Sequence, residues 1–524
     1  MGQAGWRAAW WLPAALATYL VFRIVYLYYY NFYFVRGDEF DLNIFTWLLW
    51  RDADFGYLVT PSVSFFKIHI APFLYALNRI SFLVPVDPER WFSGTMAAIH
   101  AAFVPTFFAL WLRLPLTPRL LWALPGALAA GVFALNGVVL DALWVGHYEF
   151  AIALAIVLLI LALAAQKSWA VAAALIFLLS LREDAGFHAF GFLFLLILGR
   201  RVIYGTSWRA LRLDLIAAGL CLGYSLFCFL WLMPHLDAYG VFKIVFVGDP
   251  AWAHLSWQRL GAVLNRHAQE NQHLWIPAAV LSLAAIVCRR PLYLVGVLAP
   301  LPWTLLHMAA ADDHAAFIDH YKAFPWIVTL AWPLLMDICY PQDRPPPPIT
   351  AAVTALVLVG TLVNATSYIS PFNTDNRWRI AGLHPCAADR SAYNRFRTVL
   401  QQEREALGRV QVSSGLYRYG LGLFQKHEHR LWYEPDVLRN LIQSSPDTVL
   451  YYAHGRAAGL FKDGARFSGL RRHYAVTGTP LLLSTRRDLG NHPALGEYLR
   501  PVKAWIDRGD CAPSWSIKLR ATGQ

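Results

Sequence analysis

The chain has 524 residues, 57% of them hydrophobic and 15% charged, with a mean hydropathy of +0.41. A soluble protein of this size carries about a quarter charged residues, so the composition excludes an ordinary soluble globular protein and points to an integral membrane protein. The formal charge of +12 does not indicate a nucleic-acid partner, because the basic residues fall in short clusters between apolar runs, where they orient a chain in a bilayer.

The first apolar run, from about Ala8 to Tyr30, exceeds a signal-peptide core and lacks a small-residue cleavage site, so it reads as a retained transmembrane helix. At about 20 apolar residues per crossing, roughly eleven spans are expected. They lie near residues 8–30, 91–111, 120–140, 150–165, 169–181, 186–199, 214–233, 274–288, 292–310, 321–338 and 350–368. The connections alternate in character. Arg7, the Arg113/Arg119 loop, Lys167, "GRRVIYGTSWRALR" (Gly199 to Arg212), "CRRP" (Cys288 to Pro291) and "CYPQDRPPPP" (Cys339 to Pro348) are basic and poor in carboxylates, which makes them cytoplasmic. The other set carries the acidic and histidine clusters and belongs on the outer face. The N-terminus is then cytoplasmic in a multi-pass bacterial inner-membrane protein.

The first outer loop, about Asn31 to Arg90, is long and aromatic, so it is expected to contain helices lying on the membrane surface, with Trp47, Trp50, Phe65 and Phe66 at the interface. Its start, "VRGDEFDLNIFTWLLW", packs Asp38, Glu39 and Asp41 into four positions. Two readings are open. An acidic residue can cap a helix beginning, or one carboxylate can abstract a proton from a hydroxyl while two hold a divalent ion. Further along, "FKIHIAPFLYAL" places Lys67 and His69 just before Pro72.

"GHYEF" puts His147 and Glu149 at the outer end of a span, and "LREDAGFH" does the same for Arg182, Glu183, Asp184 and His188. Ionisable groups near hydrocarbon are costly unless paired or facing a polar cavity, so these are functional candidates, the alternative being a salt bridge such as Arg182 with Glu149 that locks two helices. "DHYKAFPWIV" brings His320, Tyr321 and Lys322 to another outer helix end, where a cation suits a phosphate or simply snorkels to the interface.

After the last span the chain turns polar, and stretches such as "RVQVSSGLYRYG" and "PDTVLYYAHG" read as strands. The expected fold is an all-α polytopic membrane domain over residues 1–368 followed by a small α/β periplasmic domain over residues 369–524. The "HEH" triplet His427 to His429 reads as surface rather than metal-binding. Cys386 and Cys511 would meet an oxidising compartment, so a disulfide between them is a candidate. The six cysteines include no CxxC pair.

Taken in order and spacing, "FDLNIFTWLLW", "HIAPFLYAL", "HYEFAIALA", "LREDAGFHAF", "HYKAFPWIV" and "VQVSSGLYRYGLGLFQKHEHRLWYEPD" resemble a widespread prokaryotic family of polytopic proteins described only as predicted membrane proteins of unknown function. The resemblance covers most of the chain. That family is in turn similar to the GT-C superfamily of membrane glycosyltransferases, which use polyprenyl-phosphate sugars and carry an essential acidic residue or pair in the first outer loop. Asp38 and Glu39 match the acidic pair of the glycosyltransferases, and Asp41 matches the acidic position of the unknown-function family.

The resemblance implies a GT-C-like membrane domain and transfer of a sugar from a polyprenyl-phosphate donor to an envelope lipid, glycan or protein acceptor. In that reading Asp38 or Asp41 activates the acceptor. His69, His147, Glu149, Glu183 and Asp184 build the polar cavity, and Arg182, His320, Tyr321 and Lys322 meet the substrates, with Arg182 and Lys322 on the donor phosphate. A divalent ion, Mg or Mn, would sit on Asp38, Asp41 or Glu149. No Gly-rich phosphate loop is present and no nucleotide cofactor is expected. The alternatives are a transporter or flippase, which calls for ionisable residues at mid-span and related sequence halves, and a non-catalytic relative that binds lipid or envelope polymer.

Overall fold

The computed structural model describes residues 3–35, 45, 48–49, 69–84, 86, 88–112, 114, 116–134, 147–236, 243–313, 315–316, 318, 320–340, 348–369, 387–412, 447–452, 470–477 and 481–501. The chain is mostly helical with one small sheet. The helices of its first three hundred and sixty-nine residues are α1 (Gln3–Val35), α2 (Pro72–Ser81), α3 (Pro88–Trp111), α4 (Leu116–Leu121), α5 (Ala123–Ala134), α6 (Phe150–Ala164), α7 (Ser168–Leu181), α8 (Ala185–Tyr204), α9 (Arg212–Phe227), α10 (Trp257–Glu270), α11 (Gln272–Val287), α12 (Tyr293–Leu298), α13 (Leu301–Met308), α14 (Phe324–Cys339) and α15 (Pro348–Ile369).

Each apolar run read from the sequence contains helix, residues 135–140 of the third lying outside the described residues. Among the described residues three helical stretches, Arg90–Ala109, Ala185–Tyr204 and Arg212–His235, are long and apolar enough to cross a membrane, and eight more are apolar but shorter. Their length is the reason for the difference: a crossing needs about 20 residues, and Pro300 cuts the apolar run at 292–310 into two shorter helices.

The chain divides into two compact units. The first comprises Met1–Tyr26, Phe66–Phe73 and Gly94–Ser367. At its centre α6 is apolar all round and buried from Phe150 to Val157 and again from Leu159 to Leu163, as a helix without a polar face must be. It packs on α14, which is likewise buried from Phe324 to Asp337. The helices around them bury one face only: Ile176, Val202, Leu230 and Leu356 remain largely exposed, the pattern of a surface meeting hydrocarbon rather than water.

The core depends on close approach. A side chain at Gly296 of α12 would run into Trp332 of α14 at its Cβ and Cγ, atoms next to the backbone that cannot swing away. Gly296→Ala is therefore expected to destabilise the protein by about 1–3 kcal/mol, the usual cost of overpacking. Gly360→Ala, where an added methyl meets nothing within 4 Å, is the control, and thermal unfolding in detergent compares the two.

α9 continues through a π-turn, Cys228–Leu232, into a last turn at Met233–His235. Ile70 packs there against Cys228 and Met233. π-turns open one extra position in a helix and recur at functional sites.

The second unit comprises Leu27–Phe65, Leu74–Ser93 and Tyr368–Gln524. In it Phe45 stacks on Phe92, Tyr29 meets Phe92 edge-on, and Asn78 Nδ2 donates to the Leu48 carbonyl at 2.8 Å. The sheet has strands β1 (Val410–Val412), β2 (Thr448–Tyr452), β3 (Arg472–Val476), β4 (Leu481–Thr485) and β5 (Leu499–Pro501) in the order β1-β2-β4-β3-β5. β1 runs parallel to β2 and the other pairs are antiparallel, with Thr448 opposite Thr485 and Tyr474 opposite Leu483. Of the two stretches read as strands from the sequence, Val410–Val412 and Thr448–Tyr452 are strands, and residues 413–420 and 453–455 lie outside the described residues. Cys386, Cys511 and the His427–His429 triplet lie outside the described residues.

Candidate functional site

α7 ends at Leu181 because Arg182 is fully extended, with φ −161° and ψ 158°. Asp184 then occupies the N-cap of α8, but its carboxylate makes no bond to the helix start. The turn is free to point three consecutive ionisable side chains inward. Gly186 makes this possible: α8 begins so near α9 that any side chain there would strike the Cys221 carbonyl and the Ser225 hydroxyl. Ser225 Oγ donates to the Glu183 carbonyl at 2.7 Å and accepts from the Phe187 N–H at 3.2 Å, fastening the turn to α9.

Arg182 is the hub. Its Nη1 pairs with Glu149 Oε1, and its Nε lies 3.2 Å from Asp184 Oδ1 and 3.4 Å from Glu183 Oε1. All three carboxylates are at most 2% exposed. The salt bridge between α6 and α7 named as the alternative reading is thus present, and two further acids share the same guanidinium.

Glu183 faces the other way as well. His69 Nδ1 lies 2.9 Å from its Oε1, and the Ile70 backbone N–H donates to its Oε2 at 2.9 Å. These contacts pin the residues just before α2. Asp184 Oδ2 is 3.6 Å from His188 Nε2, one turn along α8. His147 Nδ1 lies 3.5 Å from Glu149 Oε1, and its ring stacks on buried Tyr148, which stacks in turn on Phe73. One guanidinium faces three carboxylates, and the His69 and His188 imidazoles reach Glu183 and Asp184.

The three acids, which sit in turns outside the helices, are tuned differently. Burial pushes the Glu149 carboxyl up to about 7, against the opposing pull of Arg182. Burial alone would raise Glu183 too, but the His69 and Arg182 charges outweigh it and hold that group below the usual carboxylate range. Asp184 is likewise lowered, because Arg182 and then His188 overcome its burial. Burial, then the Arg182 and His69 charges, keep His147 well below its ordinary value and neutral.

The sign of the resulting pH dependence follows. Glu149 takes its proton near 7 when folded and near 4.5 otherwise, so its contribution to stability falls as pH rises from about 4.5 to about 7 and is level above that. The lowered acids act in the opposite sense and in a lower window, their contribution being lost as pH drops through the acid range. Glu149→Gln is expected to remove the slope between about 4.5 and 7 while leaving the acid limb, which thermal unfolding across that range reads directly.

Beyond His188 the site continues as an aromatic row. The His188 ring meets Trp303 and Phe324 edge-on at 4.5 and 4.6 Å, and Trp303 meets His307 at 4.3 Å. The Trp303 indole donates to the Lys322 carbonyl at 3.4 Å. His320 and Tyr321 belong to the short 3-10 turn His320–Ala323, while their side chains lie outside the described residues. Asp38, Glu39 and Asp41 lie outside them entirely.

The structure therefore brings together His69, His147, Glu149, Arg182, Glu183 and Asp184, with Lys322 at the far end of the aromatic row. Ser225, Gly186, Trp303 and His307 went unremarked in the sequence. A lone hydroxyl and a histidine closing apolar runs were the only signals for Ser225 and His307, and Gly186 and Trp303 offered none. Among the described residues no group of three His, Cys, Asp or Glu side chains is placed to hold a metal ion, and two of the three candidate ligands, Asp38 and Asp41, lie outside them.

The opposite ends of these helices carry a different device. Arg200, near the end of α8, pairs at 2.8 Å with buried Asp214 at the start of α9 and lies over the Tyr340 ring. That pair joins two helices and contacts none of the site above. No protein-family model matches the chain and no curated protein matches it, so its functional reading rests on the geometry of the Arg182 cluster.

Proposed function

We propose that the chain is a GT-C-like membrane glycosyltransferase of the bacterial inner membrane, crossing it about eleven times, that transfers a sugar from a polyprenyl-phosphate donor to an envelope acceptor on the outer face. The observation that supports it is the convergence of Glu149, Arg182, Glu183, Asp184 and His69 at adjoining ends of apolar helices. Buried ionisable groups at membrane depth are expensive, and a site for a lipid-linked phosphate is a reason to keep them. Their place at helix ends rather than along a path through the spans favours chemistry at a membrane face over transport.

In the reaction the bond from the sugar C1 to the phosphate oxygen breaks, the acceptor oxygen bonds to C1, the acceptor proton passes to a carboxylate, and polyprenyl phosphate leaves. Asp38 or Asp41 takes the proton, the role that the resemblance gives the first outer loop. Lys322 meets the leaving phosphate. Arg182, engaged by three carboxylates, positions the site rather than the donor, and Glu183 fixes the residues just before α2 through His69 and Ile70.

The test is transfer of labelled sugar from a polyprenyl-phosphate donor in proteoliposomes, comparing the wild type with Asp38→Asn and Asp41→Asn. Loss in one variant identifies the base. Equal transfer in both and in the wild type removes the first outer loop from the chemistry, and no transfer by the wild type from any polyprenyl-phosphate donor removes the reading itself.

A further inference from the structure

Between α9 and α11 lies a segment that the proposed chemistry does not use. From Lys243 to Asn271 it is strapped to the loop at residues 309–318. Val245 accepts the Asp312 N–H at 2.9 Å, His254 Nε2 donates to the Ala309 carbonyl at 2.9 Å, and Arg259 Nη2 reaches the carbonyls of Ala310 and Ala311 at 3.0 and 2.9 Å. His267 Nε2 meets the Ala316 carbonyl at 3.0 Å and Asn271 Nδ2 the Ile318 carbonyl at 2.8 Å. Val263 packs on Ala310, Ala315 and Ala316. The loop held this way runs directly into the His320–Ala323 turn.

α10, capped by the Ser256 hydroxyl accepting the Arg259 N–H, has a second apolar face that touches none of this. Trp257, Gly261, Leu264 and Ala268 recur at the spacing of one helical stripe, and Trp257 is 91% and Leu264 55% exposed. Trp252 and Leu255, just before the helix, are exposed too. Gln258, Asn265 and Gln269 lie on the polar side. Trp252, Leu255, Trp257 and Leu264 together make an exposed apolar patch of the kind that marks an interaction surface.

The neighbours say what covers it. Asn271 alone separates α10 from apolar α11, whose Ile276, Leu283 and Ile286 are exposed, and the preceding helix is one of those long enough to cross a membrane. That helix ends in an aromatic ladder, Phe227 on Trp231 at 5.0 Å and Trp231 by His235 at 4.5 Å, of the kind that marks a membrane interface. The strap thus lies in the chain between two apolar helices.

We infer that the Trp252–Ala268 face is a lipid-docking surface, seated at the boundary between headgroups and acyl chains of the outer leaflet. It holds the 309–318 loop, and the turn bearing Lys322, at the depth where a lipid-linked phosphate arrives. The inference rests on the chain being membrane-embedded and does not depend on which reaction follows.

The test uses the full chain in nanodiscs, with an environment-sensitive fluorophore on Trp257→Cys, Leu264→Cys, Gln269→Cys or Leu230→Cys, each read against the label signal of the wild type. Aqueous iodide and lipids brominated high on the acyl chain are the two quenchers. Labels at 257 and 264 are expected to be quenched by the brominated lipid and several-fold less by iodide than the label at 269. Iodide quenching at 257 and 264 equal to that at 269, with 230 shielded, would overturn the inference alone. Shielding from both quenchers would mean a protein partner and also overturn it, whereas iodide access at 230 would overturn the membrane placement itself.

Discussion

Arg182→Met is expected to lower stability by about 3–5 kcal/mol, the range for removing one partner of a buried ion pair. Glu149, Glu183 and Asp184 lose their shared cation at once, and each is almost fully buried, so none can turn to water. The effect belongs to the carboxylates left behind more than to the arginine removed. Two companions separate these contributions. Arg182→Lys keeps the charge but not the fork that serves several acids, and it should fall between wild type and methionine. Adding Glu149→Gln to Arg182→Met should restore part of the loss, a coupling that a double-mutant cycle in detergent measures. A methionine variant as stable as the wild type would mean that the three acids are neutral without the arginine, which contradicts the account.

Glu183→Ala is expected to cost about 3–6 kcal/mol, since each hydrogen bond to a charged group contributes about 1.5–3 kcal/mol and two are lost. Its local signature is more telling than its size. With Glu183 gone, the Ile70 amide and the His69 ring lose their partner, while Ile70 still packs against Cys228 and Met233. Hydrogen exchange at residues 69–71 should accelerate while the buried helices α6 and α14 stay protected. Uniform acceleration would mean that Glu183 supports the whole bundle instead of the residues just before α2.

The places of the helices were legible in the sequence because apolar runs and their charged interruptions are set by local composition. Their lengths were less so: the break at Pro300, inside the run read as one span over 292–310, depends on backbone geometry that hydropathy averages away. The charged residues at "HYEF" and "LRED" could be singled out because charge in an apolar context is costly wherever it falls. That one arginine would serve three acids could not be read, since it follows from the extended Arg182 backbone and from how near α8 comes to α9 at Gly186. The same holds for the link from Glu183 to His69 and Ile70, whose partners are more than a hundred residues apart in the chain.

The central claim is that the Arg182 cluster is kept for chemistry and not only to join helices. The most direct measurement is the rate of sugar transfer from a polyprenyl-phosphate donor by Glu149→Gln and Glu183→Gln, set beside Asp214→Asn, which disturbs a buried ion pair at the opposite helix ends. At matched amounts of folded protein, the account predicts transfer strongly reduced in both cluster variants and close to wild type in Asp214→Asn. Equal rates in all three would show that the cluster is a helix clamp like the Arg200–Asp214 pair, and would contradict the account.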